Sequence, residues 1–178
     1  MHPSRFFTIL GFILFGILSR FLPYPPNFTA INSIALFSAF SFANLRLSLC
    51  TVFITMFCSD LILGLHSTML FVYVSFGLII WMGHWCKINF STHFIPLCVL
   101  ASSLLFFIIT NFGVWLTSSF YPKTFAGLKV CYLAAIPFLS NQILGDLMYS
   151  ALIFGCFAIA KYFIPSIRPL PQQASCIL

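Results

Sequence analysis

From Phe6 to Ile164 one apolar run follows another, each close to the length a helix needs to cross roughly 30 Å of hydrocarbon. Short breaks separate the runs. Inside a bilayer no water is present to bond a stray peptide group, so only helices, or barrels closed edge to edge, can span it. Barrel strands would show short segments of alternating apolar and polar residues, whereas these runs are continuous. The fold class expected is therefore an all-α membrane protein. Composition agrees, with 61% of residues hydrophobic and 6% charged, well outside the range of soluble domains.

Six transmembrane helices are predicted: Phe6 to Leu22, Ile31 to Leu45, Leu47 to Leu65, Met69 to Cys86, Phe94 to Phe112 and Gln142 to Ile164. Phe125 to Leu139 is apolar but short and is bracketed by Pro122 and Pro137. It reads as a buried or re-entrant piece between the fifth and sixth spans. Residues 1–164 then make a single helical domain held in the lipid bilayer, and the Pro-rich, polar residues 165–178 a short flexible tail. The first run follows Arg5 but carries no small-residue cleavage site, so its retention as a helix is expected.

Charge sets the orientation. With both termini cytoplasmic, Arg5, Arg46, Lys87, Lys161 and Arg168 lie inside and Arg20, Lys123 and Lys129 outside, the bias that the positive-inside rule requires. A multi-pass protein of the cell's inner or plasma membrane is the expectation. Cations scattered singly act as topology anchors and form no nucleic-acid surface. The seven cysteines contain no C-x-x-C pair and lie mostly in apolar runs, so they read as small packing residues. On the second span Ala35, Ala39 and Ala43 repeat at four-residue spacing beside Ser38. Such a stripe lets helix backbones approach closely, either inside the bundle or against a separate membrane partner.

The two acids, Asp60 and Asp146, stand inside apolar runs. A carboxylate in hydrocarbon costs several kcal/mol, so such residues face a bundle interior or a wet cavity. The topology brings Asp60, Asn111, Trp115, Asn141, Gln142 and Asp146 to one depth near the outer face. Gln142, Asp146 and Tyr149 share a helical face at i, i+4, i+7 spacing, with Ser150 a turn beyond Asp146. The competing reading of each acid is an internal hydrogen-bonded brace, or a pairing with Arg20, Lys123 or Lys129. Two proline-stiffened outer loops, one with Tyr24 and Asn27 and one with Tyr121 and Lys123, are placed to cover a cavity, although turn formation also accounts for them.

Several chemistries are set aside. Aspartyl proteolysis would need a G-x-G-D pattern, but Ser59 precedes Asp60 and Ile143 holds the first glycine position before Asp146. No G-x-S-x-G accompanies the histidines, and no G-x-x-x-x-G-K-[ST] loop for nucleotide phosphates occurs. His84, Cys86 and His93 cluster near Lys87 without a fourth metal ligand. Neither enzymatic activity nor a cofactor is expected.

The segments LPYPPNFTAINSIALF, CSDLILGLH, TNFGVWL, FYPKTFAGLKVCYLAAIPF and NQILGDLMYSALIFG, spread between about Arg20 and Gly155, together resemble a little-characterised family of bacterial membrane transport proteins. That family itself looks like the substrate-binding S components of energy-coupling factor (ECF) transporters. The resemblance implies an S-component-like bundle of six helices with both termini cytoplasmic and an outward pocket for a vitamin or similar small micronutrient. It also implies a coupling subunit with two ATPases as partners. Its recurrent polar positions fall on Asn27, Asp60, Asn111, Trp115, Tyr121, Lys123, Asn141 and Asp146. In one respect the chain departs: S components carry an A-x-x-x-A face on the first helix, where this chain has Gly11 and Gly16, and the alanine stripe lies on the second. The leading expectation is a substrate-capture component. The alternatives are a structural or assembly protein of the cell envelope, and a proton-coupled secondary transporter using Asp60 and Asp146.

Overall fold

A computed structural model describes residues 3–23, 25–42 and 44–163. They form six α-helices and no strand: α1 (Pro3–Phe21), α2 (Ile31–Ser41), α3 (Leu45–Leu63), α4 (Met69–Asn89), α5 (Ile95–Thr117) and α6 (Phe125–Phe163), with a 3-10 turn at Thr92–Phe94. Tyr24, Ala43 and the expected tail at 165–178 lie outside the described residues. Helices α3 to α6 are long and apolar enough to cross a membrane, which fits a multi-pass membrane protein. Large apolar side chains on their outer faces, among them Leu61, Ile62, Leu70 and Ile88, are more than half exposed, an arrangement suited to lipid rather than water. Local signals set several boundaries. The Asn44 side chain accepts from the Arg46 amide and caps α3, Gly64 at φ +102° ends it, and Pro96 sits in the first turn of α5.

Two elements differ from the sequence expectation. The piece 125–139 is neither separate nor re-entrant: it is the first part of α6, a 39-residue helix with Pro137 inside it. At 1.5 Å per residue α6 is about 58 Å long, roughly twice the hydrocarbon thickness. Proline removes one helical hydrogen bond, whereas stopping a helix leaves four orphan groups on each side of the break. In apolar surroundings the continuous helix is therefore the lesser loss. The second expected span is cut back to the 11 residues of α2, about 16 Å. Phe42 is extended, and Asn44 is engaged in starting the next helix.

Short as it is, α2 is the central post of the bundle. Every residue from Ile31 to Ala39 is buried, with α4, α6 and α3 packed round it and α1 and α5 at its flanks. Phe37 anchors the core, its ring centroid about 5 Å from those of Phe12, Phe154 and Phe157. Ala35 and Ala39 are fully buried, and a Cβ on Gly83 of α4 would meet the Ala39 Cβ at 2.7 Å. The alanine stripe thus serves close approach of α2 and α4 within the bundle, not a face open to a partner; Ala43 lies outside the described residues. This packing fixes the first turn of α2, and with it Asn32 and Ser33, in the middle of the molecule.

Candidate functional site

The connections α1–α2, α3–α4 and α5–α6 gather at one end of the bundle, and between them opens a cavity of about 500 Å³. Asn27, His66, Thr68 and Tyr121 stand at its rim; Phe76 of α4, Phe106, Thr110 and Asn111 of α5, and Cys131 and Phe138 of α6 make its wall. Asn32, Gln142 and Asp146 form its floor, with Arg20 to one side. The rim has local causes. Asn27 adopts φ +66°, a left-handed conformation that asparagine tolerates, and Phe28 N donates to Pro25 O across the turn at 3.1 Å. Gly145 leaves room for that turn: a Cβ there would lie 3.2 Å from the Phe28 Cα. The Ala30 amide then donates to Ser19 Oγ, joining the start of α2 to α1.

The floor is a buried polar network spanning three helices. Asp146 Oδ2 accepts from Asn32 Nδ2 at 2.6 Å and from Ser103 Oγ at 2.7 Å. Asn32 Nδ2 also donates to Ser102 Oγ, and Gln142 Nε2 to the Ser103 carbonyl. Ser33 Oγ donates to the Asp146 carbonyl and accepts from Ser150 Oγ, both at 3.0 Å. These partners fix the amide orientations, because a backbone carbonyl can only accept and a carboxylate oxygen needs the Asn32 nitrogen rather than its oxygen. What remains is one-sided. Asn32 Oδ1 and Gln142 Oε1 are buried with no hydrogen-bond donor, whereas the Asp146 carboxyl also has the Gln142 side chain as a donor. A buried acceptor left without a donor costs about 1–3 kcal/mol, and such groups are few in folded proteins.

Asp60 has a different setting. Its Oδ1 accepts from Arg20 Nη1 at 2.5 Å and its Oδ2 from the Tyr73 hydroxyl at 3.1 Å. Arg20 Nη1 also donates to Ser59 Oγ. The carboxylate is fully buried and the Arg20 side chain is 17% exposed. The pair joins α1 to α3 and, through Tyr73, to α4.

A family model described as a family of unknown function, DUF6580, matches residues 2–167. The chain belongs to the DUF6580 family. No curated protein and no solved structure matches it.

In this DUF6580 chain the residues singled out in the sequence divide into two groups. Asn27, Asn111, Tyr121 and Asp146 line the cavity; Asn111 donates to the Phe107 carbonyl one turn back at 2.8 Å. Asp60, Trp115, Lys123 and Asn141 do not line it. Trp115 Nε1 donates to Pro122 O at 3.0 Å, while Lys123 Nζ donates to the carbonyls of Trp115 and Ser118 and lies over the Trp115 ring. That cluster closes the α5–α6 loop on itself. Asn141 is half-buried on α6. Arg20, considered only as an ion-pair partner, is part of the cavity, and Asn32, Ser102 and Ser103 were missed. An amide at the outer start of the second span and a serine pair inside the fifth were the available signals. Among the described residues no group of three or more His, Cys, Asp and Glu side chains is placed to hold a metal ion. The floor offers hydrogen-bond acceptors backed by one carboxylate, chemistry for holding a solute.

Proposed function

We propose that the protein is a substrate-capture membrane component of the S type, taking a vitamin-sized solute into the cavity at its outer end for uptake across the cell's inner or plasma membrane. The observation that carries this reading is the cavity itself. About 500 Å³ falls within the range of small-molecule sites, which are mostly apolar with a few convergent polar groups. An aromatic wall over an Asp146-centred polar floor has that character. Arg46 begins α3 and Lys87 ends α4, both at the end opposite the cavity; the positive-inside rule turns that end to the cytoplasm and the cavity outward. Six crossings, α2 being a short central one, leave both termini inside. A coupling subunit with ATPases is the energising partner that the family resemblance implies.

The test is binding without chemistry. Wild-type protein in detergent should gain thermal stability with its ligand, by the amount mass action dictates, and the same ligand should be found by mass spectrometry in mildly extracted protein. Asp146→Asn that folds yet binds with wild-type affinity would remove the proposal. A scaffold of the envelope would bind no solute, and a proton-coupled transporter would move one alone in liposomes under a pH gradient.

A further inference from the structure

Resting on the capture reading, a narrower statement about the ligand follows from the cavity floor. Two oxygens there lack donors, Asn32 Oδ1 and Gln142 Oε1, and they flank the Asp146 carboxyl, which has side-chain donors but no cation. The three side chains are at least nine-tenths buried, with exposures of 5%, 3% and 1%. Their amide orientations are fixed by Asp146 Oδ2 and the Ser103 carbonyl, so neither amide can turn its nitrogen to the cavity without losing an existing bond. The Asn32 and Gln142 oxygens are sealed from water, so solvent does not complete them. A ligand at the floor would have to turn these side chains outward to meet them.

The charges agree. Arg20 is the one Lys or Arg in the lining, and its guanidinium is already bonded to Asp60 and Ser59. At the floor itself a carboxylate or phosphate would meet the Asp146 carboxyl and two amide oxygens, while Arg20, whose Nη1 holds Asp60 and Ser59, keeps its remaining N–H groups to one side. Phe76, Phe106, Phe138 and Tyr121 supply flat apolar surface round the same space, and ring faces suit planar or cationic groups.

We infer that the cavity selects a small planar nitrogenous ligand, an amidine or an amino-substituted heteroaromatic base, that turns a cluster of N–H donors to Asn32, Gln142 and Asp146.

The full-length protein in detergent would be titrated with 2,4-diaminopyrimidine and benzamidine, beside pyrimidine and benzoate as donor-free and anionic counterparts, with ligand-observed NMR and thermal midpoint as readouts. The expected result is saturable binding of the two donor probes, with the counterparts at least about tenfold weaker, since a site built around hydrogen bonds rejects analogues that lack them. Gln142→Met, which removes one orphan oxygen together with the amide's bonds to the Ser103 carbonyl and Asp146, should weaken diaminopyrimidine about tenfold. Ile88→Val on the exposed outer face of α4, away from the cavity lining, should leave it unchanged and serves as the folded control. If Gln142→Met fails to fold, Gln142→Glu takes its place and should strengthen benzamidine relative to pyrimidine. Benzoate or pyrimidine binding as tightly as the donor probes would overturn the ligand class and leave capture standing. Stabilisation of the wild type by sodium chloride but not choline chloride, absent in Asp146→Asn, would reassign the oxygens to a monovalent cation and overturn it too. No probe bound and no copurified solute would bring down both.

Discussion

The two acids of this chain, one on α3 and one on α6, are almost equally buried and are held in opposite ways. Asp60 meets a guanidinium and a phenol, so its charge is compensated and both its oxygens have donors. Asp146 meets the amides of Asn32 and Gln142 and a serine hydroxyl, and no cation. Burial alone therefore does not separate a structural carboxylate from one available to a ligand. What separates them is whether the protein has already supplied the counter-charge.

The sharpest way to break this comparison is at Asp60. Asp60→Ala leaves Arg20 facing the bundle interior without its counter-charge, and removal of one partner of a buried pair costs about 3–5 kcal/mol. Unfolding by sodium dodecyl sulfate in mixed micelles should show a loss of that size, or no folded protein at all. The double replacement Arg20→Met with Asp60→Leu should recover most of it, because the stranded charge is gone. If the double variant is as unstable as the single one, the pair does more than brace. Next in size is Tyr73→Phe, which takes away one donor to the charged Asp60 and should cost about 1.5–3 kcal/mol in the same assay.

Much of the cavity was legible in the sequence, and the reason is geometric. Once spans and orientation are set, residues near the outer span ends fall at one end of the bundle, and so Asn27, Asn111 and Tyr121 reach the same opening, with Asp146 below them at its floor. Depth does not determine azimuth. Whether Asp60 turns to Arg20 or to the cavity depends on how α1 packs on α3, a contact between residues 40 apart in sequence; the Asn32 bond to Asp146 spans 114. No periodicity within one helix reports such pairings. The starts of α3 and α5 are set differently, at Asn44 and Pro96, by causes that lie within a turn. Pro137 misled because the rule that proline ends a helix assumes that water can receive the freed groups.

At Asp146 the comparison predicts a small effect on stability and a large one on binding. Asp146→Asn keeps an oxygen for Asn32 and Ser103 and strands no cation, so the unfolding free energy should move by less than about 1 kcal/mol. Ligand-dependent stabilisation should vanish in the same preparation. A loss as large as that of Asp60→Ala would place both acids in the same structural class and dissolve the distinction.

The smallest effect is expected at Trp115, which the sequence set beside the cavity and the structure sets in the last turn of α5, bonded to the α5–α6 loop. Trp115→Phe removes the bond from its indole to Pro122 O and weakens the contact with Lys123. Both interactions lie at an exposed site, where such contacts are worth about 0.5–1 kcal/mol. The thermal midpoint in detergent should fall slightly, and affinity for whatever stabilises the wild type should stay within about twofold, equivalent to less than 0.5 kcal/mol. A tenfold loss of affinity with the midpoint unchanged would mean that the loop folds over the ligand and brings Trp115 with it. In that case Trp115 belongs with Asp146 among the residues a ligand meets, and the self-closed loop describes only the empty cavity.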